Sequence, residues 1–172
     1  AKCIIYLNKA EYDNSIVKRI DPQTSIIPNG CDLVVDISPK AYNQGETMKI
    51  IYIGRISRHH KGLDLLLEAI KARKSAFIKN KIKFIFYGDG HKDEQEWFLA
   101  ELAKLPEVTE YRGVVYGEAK DRAMREAELF ILTSRYEGMP MGVLEALSYG
   151  LPCILTPNTN LGEEVHNAGA GI

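Results

Sequence analysis

The sequence predicts an α/β domain built on a Rossmann-like, doubly wound parallel sheet. Three observations predict it. Short apolar runs alternate with amphipathic helical stripes from Met48 to Leu155, about five times over, and such alternation gives parallel strands with helices on both faces. Glycine stands in four of the loops that follow apolar runs, at residues 54–62, 88–90, 113–115 and 133–139. With 172 residues and 45% hydrophobic content, the chain can bury the core of one such domain.

Each element has its own signal. Residues 3–7 are a short apolar run, and a polar helical stretch follows toward Arg19. Ser25-Ile26-Ile27 is a short strand stopped by the turn signal Pro28-Asn29-Gly30. Residues 36–46, with Pro39, Asn43 and Gly45, read as a loop. Met48–Ile53 is a strand, and Leu63, Leu66, Leu67 and Ile70 form a helical stripe opposed by Asp64, Glu68 and Lys71. Ile82–Tyr87 is the next strand; Trp97, Leu99, Leu102 and Leu105 mark the next helix, stopped by Pro106. Residues 108–111 form a short strand, and 118–128 a charged, helix-favouring stretch. Leu129–Leu132, a helix opened by Pro140, and Cys153–Leu155 complete the series.

Composition excludes several classes. A net charge of −1 gives no bulk electrostatic case for a nucleic-acid partner. Cys3, Cys31 and Cys153 are scattered, without metal-ligand spacing, which fits a reducing cytoplasm better than a disulfide framework. No apolar run approaches the roughly 18–20 residues of a membrane span. The chain opens without Met inside an apolar segment, so a piece of a longer protein is expected.

Ligands of doubly wound sheets bind at the carboxyl ends of the strands, so the chemistry is sought in the loops there. In residues 54–62, Gly54 is followed by Arg55, and Lys61 precedes a helix whose first N–H groups are free. A guanidinium fork, an ammonium and a helix start together suit a diphosphate. Taken alone, the loop reads more readily as a solvated turn with incidental basic residues. It holds neither GxxxxGK[ST] nor GxGxxG, and the adjacent His59 and His60 read as exposed loop residues.

The stretch from Leu129 to Pro157 adds two carboxylates, Glu137 in the polar elbow and Glu145 in the helix after Pro140. Met141, Glu145 and Ser148 are expected on one face of that helix, with Val143, Leu144 and Leu147 on the buried one. A phosphate at the N–H groups of residues 141–143 would bring a sugar ring within reach of Glu145. One carboxylate can accept both hydroxyls of a vicinal diol such as ribose. Glu137 would meet a second sugar beyond the phosphates.

Glu137-Gly138-Met139-Pro140, Leu144-Glu145-Ala146 and Gly150-Leu151-Pro152 resemble the E-x7-E signature of retaining GT-B glycosyltransferases, family GT4. Ile27-Pro28-Asn29-Gly30-Cys31-Asp32 resembles that family's PNGVD segment, and Gly54-Arg55 with Lys61-Gly62 its GR…KG element. Gly88-Asp89-Gly90 and Gly113-Val114-Val115 resemble its GDG and G-x-V segments.

The resemblance implies the C-terminal, donor-binding half of a GT-B enzyme. Residues 1–30 would be the end of the N-terminal domain or the linker, and 31–172 the nucleotide-sugar-binding domain, cut short after Ile172. Arg55 and Lys61 would hold the diphosphate of a donor such as a UDP- or GDP-sugar, and Glu137 would contact the transferred sugar. Glu145 would hold the ribose. Backbone at Gly54, Gly88, Gly90, Gly138, Met139, Pro140, Met141, Gly142 and Val143 would line the donor, with Val115 bordering the base. No metal or other cofactor is implied: the departing diphosphate would be stabilised electrostatically, with front-face attack retaining configuration. The acceptor, a sugar or lipid-linked glycan, would be bound by the missing N-terminal domain in synthesis of a surface polysaccharide or glycolipid, so the chain alone is expected to bind donor weakly and transfer no sugar.

Lys71, Arg73, Lys74, Lys79, Lys81 and Lys83 gather near one helix end. They read as solvated cations suited to the helix dipole, with peripheral contact to an anionic inner membrane face as the alternative. Two other functions stay open beside the transferase: a non-hydrolysing nucleotide-sugar 2-epimerase, and a nucleotide-binding module without catalysis.

Overall fold

The computed structural model describes residues 3–16, 23–34 and 45–172. Most of the loop expected over 36–46, and the end of the helical stretch toward Arg19, lie outside these residues. Strand β1 (Ile4–Tyr6) pairs in parallel with β2 (Thr24–Ile26), and helix α1 (Lys9–Asn14) lies between them in sequence. Asn8 caps α1 by accepting the Glu11 N–H at 2.8 Å, while Glu11 accepts the Leu7 N–H at 2.7 Å, a reciprocal arrangement that settles two otherwise unpaired donors.

The remaining elements run in the expected alternation. They are β3 (Met48–Ile53), α2 (Leu63–Ala72), α3 (Lys74–Lys79), β4 (Ile82–Tyr87), α4 (Lys92–Leu102) and β5 (Thr109–Tyr111). Then come α5 (Gly117–Glu126), β6 (Leu129–Leu132), α6 (Met141–Ser148), β7 (Cys153–Leu155) and α7 (Gly162–Asn167). The strands form a five-stranded sheet in the order β5-β4-β3-β6-β7, all parallel. Register is set by apolar pairs such as Ile50 with Phe84 and Phe130 with Cys153. Right-handed crossovers put α2, α3 and α4 on one face, because the chain there steps from β3 to β4 to β5. They put α5 and α6 on the other, because it then returns to β6 and β7. Residues 170–172 run beside β7: Cys153 N–H donates to Ala170 O at 2.9 Å and Ile172 N–H to Cys153 O at 3.0 Å. Gly171 and Cys153 form an isolated parallel bridge there.

Both faces of the sheet are dry. Tyr52, Phe86, Phe98 and Phe130 are fully buried, each worth about 1.5–3 kcal/mol of transfer free energy. The Phe98 ring meets Phe86 edge-on at 5.2 Å and Tyr111 at 6.0 Å. This corrects the stripe expected on α4. Phe98 and Leu102, one turn apart, face the sheet, whereas Leu99 is exposed and Trp97 is half-buried beneath the Arg58 guanidinium. Leu105 is buried beyond the helix end.

Three further features depart from the sequence reading or go beyond it. Helix α3 is separate from α2, because Arg73 leaves the helical region at φ −114°, ψ 13°. Helix α7, which the sequence did not announce, is anchored by buried Val165. On α6 the buried positions are Val143, Ala146 and Ser148, with Leu144 and Leu147 only half-buried. Ser148 is buried at little cost because its hydroxyl donates to Glu145 O at 2.7 Å.

Within the basic cluster, Lys74 pairs with Glu107 at 2.8 Å and Lys81 donates to Gly45 O at 2.9 Å. Among the described residues, no helix is long and apolar enough to cross a membrane.

Candidate functional site

The order β5-β4-β3-β6-β7 makes the chain leave β3 toward one edge and return at β6 toward the other. The loops after β3 and β6 therefore part at the carboxyl end of the sheet, where such folds hold ligands. The sequence put Arg55, Lys61 and Glu137 in these two loops, and the structure joins Lys61 to Glu137. Lys61 Nζ lies 2.5 Å from Glu137 Oε1, both side chains being mostly buried. Fully buried Ser134 donates to the same oxygen at 2.6 Å.

Several further contacts weld the two loops. Arg135 N–H donates to His60 O at 2.9 Å, and Arg135 Nη1 to His59 O at 2.8 Å. Thr133 Oγ1 donates to the carbonyls of Lys61 and Gly62 at 3.1 and 3.2 Å. Gly62 has φ +61°, and a Cβ there would lie 2.0 Å from Thr133 O, so only glycine fits. His60 is not a free loop residue. Its ring stacks on Tyr136 at 4.4 Å, and its Nε2 donates to Tyr136 O at 3.0 Å. Arg135 forks onto Asp64 of α2, and these hydrogen bonds hold the Asp64 carboxyl below its ordinary range.

Beneath the loops lies Tyr52, whose hydroxyl donates to Arg55 O at 2.6 Å. Burial, then the nearby Glu137 charge, pushes this phenol far above its ordinary range, so it stays neutral. The Arg55 side chain is exposed and, among the described residues, pairs with no carboxylate. Gly88 and Gly90 are fixed through their backbone: Tyr111 Oη donates to Gly88 O at 2.7 Å, and Gly90 N–H donates to Gln95 Oε1 at 3.1 Å.

The turn into α6 is held from behind. Asn160 Nδ2 donates to Glu137 O at 2.6 Å, Asn8 Nδ2 to Gly138 O at 2.7 Å and Asn29 Nδ2 to Met139 O at 3.4 Å. Among the described residues, the N–H groups of Gly138, Met139, Met141 and Gly142 meet no acceptor. With Pro140, which has no N–H, they form a run of donors ending at a helix start, an arrangement suited to an anion or to sugar hydroxyls. Val143 is already inside α6, its N–H on Pro140 O at 3.1 Å.

Glu145 and Val115 line recesses whose walls include neither Lys61 nor Glu137. Glu145 lines a cavity of about 540 Å³ with Gly30, Asp32, Lys120, Met141 and Tyr149, and Lys120 Nζ sits 2.6 Å from its Oε1. Val115 is buried beside a smaller recess of about 280 Å³, shared with Tyr87, Arg112 and Arg122. Sequence reasoning missed the roles of Tyr52, Ser134, Lys120, Asn8 and Asn160, and it named Asn29 only as part of a turn signal and of the PNGVD-like segment. Asn160 left a trace, since asparagine tolerates the left-handed backbone it adopts at φ +59°.

A doubly wound parallel sheet with its charged and donor groups gathered at the switch point is the architecture of GT-B glycosyltransferase domains. The family model for glycosyl transferases group 1 matches residues 36–172, and the chain belongs to that family. It is 30% identical over 144 residues to a lipopolysaccharide 1,6-galactosyltransferase of Escherichia coli K12, covering 82% of this chain and 35% of that enzyme. The fold matches WaaG, a glycosyltransferase involved in lipopolysaccharide biosynthesis, with a TM-score of 0.75 at 17% identity over 98% of this chain and 48% of that one. It also matches the pneumococcal O-GlcNAc transferase GtfA, solved with UDP and GlcNAc, with a TM-score of 0.66 at 21% identity over 91% of this chain and 30% of that one. The chain thus spans about a third of that galactosyltransferase's length.

Proposed function

We propose that this chain is the donor-binding half of a retaining glycosyltransferase that moves a hexose from a nucleoside-diphosphate sugar to a glycan or lipid-linked acceptor. The observation that carries this reading is the convergence of Lys61, Glu137 and the free N–H groups from Gly138 to Gly142 at the switch point. Arg55 and Lys61 bind the diphosphate and stabilise it as it leaves, without a metal. Donors from the 138–142 backbone meet the β-phosphate and the sugar, Glu137 contacts the transferred sugar, and Glu145 takes the ribose diol. Gly54, Gly88 and Gly90 border the donor, and Val115 lies on the base side. A solved relative of the same fold holds UDP, in keeping with a UDP- or GDP-sugar donor.

The acceptor is held by a further domain, in keeping with the share of the relatives that this chain spans. Residues 1–30 belong to that domain or to the linker, and 31–172 to the donor domain. The enzyme acts in the cytoplasm, with any membrane contact peripheral, in synthesis of a surface polysaccharide or glycolipid. Alone, the chain binds donor weakly and transfers no sugar.

Calorimetric titration with UDP, GDP and ADP tests the proposal. Preference for one diphosphate, lost in Arg55→Ala and Glu145→Ala, is expected. Indifference to all three would mark a module of another kind, and sugar transfer by the chain alone would overturn the division of labour.

A further inference from the structure

Resting on that reading of the site, we propose that Lys120 is a positioning and charge-balancing residue for the nucleotide. It fixes the Glu145 carboxylate for a ribose diol and keeps the cavity wall from repelling a diphosphate.

Lys120 comes from the first turn of α5 and Glu145 from the middle of α6, yet their charged groups meet at 2.6 Å at the rim of one cavity of about 540 Å³. A brace beside them holds the two helices in place. Tyr149, one turn beyond Glu145, donates its hydroxyl to Asp121 Oδ1 at 2.9 Å, and Arg125 binds Asp121 through Nε at 2.9 Å. The Arg125 guanidinium also lies over the Tyr149 ring at 5.6 Å. Because Asp121 follows Lys120 directly, the brace sets the ammonium opposite the carboxylate. Lys120 takes one acceptor site of Oε1 and restricts rotation of the carboxylate, which leaves Oε2 and the second site of Oε1 for the two hydroxyls of a diol.

The charge count points the same way. Among the described residues that line this cavity, Lys120 is the only cation, set against Asp32 and Glu145. Without Lys120 the lining carries two carboxylates and no cation, facing a ligand of about −2. The pair is about 28% and 29% exposed, so solvent weakens this effect without removing it.

The test is a double-mutant cycle read by calorimetry with UDP and GDP, using Lys120→Met, Lys120→Arg, Glu145→Gln and the Lys120→Met/Glu145→Gln pair. Methionine keeps the stem and removes the charge, and melting curves check that each variant folds. The expected result is about a tenfold rise in Kd for Lys120→Met, a rise of under about twofold for the same change in the Glu145→Gln background, and recovery to within about threefold in Lys120→Arg. Equal binding by wild type and Lys120→Met overturns the inference, as does an undiminished effect in the Glu145→Gln background. If wild type binds neither nucleotide, the donor reading of the whole site fails, and this inference with it. Should Lys120→Met not fold, weak binding by a folded Lys120→Arg overturns the charge argument.

Discussion

Arg135 grips Asp64 with two parallel hydrogen bonds, Nη1 to Oδ1 at 2.7 Å and Nη2 to Oδ2 at 2.8 Å, and so ties the loop after β6 to the first turn of α2. This ion pair lies beside the Lys61–Glu137 pair, which joins that loop to the one after β3.

The pair makes stability depend on acid in a definite direction. The folded Asp64 carboxyl titrates below its unfolded value. Its contribution is therefore fully present above about pH 4 and is lost as pH falls through the folded value. Asp64→Asn should lower the melting temperature at neutral pH, and its gap from wild type should narrow as pH falls below about 4. Thermal melts across that range decide the matter; a constant gap would mean the ion pair is not the cause.

Tyr52→Phe removes a fully buried hydroxyl and leaves Arg55 O without its partner at 2.6 Å. The expected cost is about 1–3 kcal/mol in urea unfolding. UDP or GDP binding should weaken in parallel, because the backbone under Arg55 is freed. Unchanged stability would mean that the carbonyl finds another donor.

Gly62→Ala sets a methyl group against Thr133 O, 2.0 Å away. Gly117→Ala is the control: its φ is +52°, but a Cβ there meets nothing within 4 Å. The control should lose about 1 kcal/mol from backbone conformation alone. Gly62→Ala should lose clearly more, and amide shifts at residues 133–137 should show the loops displaced. Equal losses would dispose of the collision.

Cysteine reactivity should separate by burial. Cys153 is fully buried, and burial pushes its thiol up to about 12, whereas Cys3 is exposed. At about pH 8 iodoacetamide should modify Cys3 in the native chain and Cys153 only after denaturation. Peptide mass spectrometry reads both. Native labelling of Cys153 at the rate of Cys3 would show that this part of the sheet opens readily.

The sheet was legible because each strand is an apolar run bounded by glycine or polar residues, and a parallel arrangement follows from the intervening helices. The face of α4 was not. Trp97, Phe98 and Leu99 are consecutive large apolar residues, and the sequence alone does not say which one points at Phe86. Residues 74–79 hid a helix because their lysines obscure Phe77, which packs on Phe84 at 5.1 Å. At the site, Lys61 and Glu137 were each visible as charged residues after strands. Their contact was not, since it spans 76 positions and depends on β6 lying beside β3. Lys120 left no signal at all: in the charged helix α5 it looks like any solvated lysine until α6 is set against it.

The asparagine clasps behind the turn into α6 reach further than the carbonyls they bind. Every peptide bond in this turn is trans, and in a trans planar unit the carbonyl and the next N–H point in opposite directions. Once Asn160 and Asn8 hold the carbonyls of Glu137 and Gly138, the N–H vectors of Gly138 and Met139 are aimed away from them. Two amide side chains on one side of the loop thereby fix the polarity of its other side. A substitution at Asn8 or Asn160 could reverse that polarity by a peptide-plane flip, without altering any residue that lines the opposite surface.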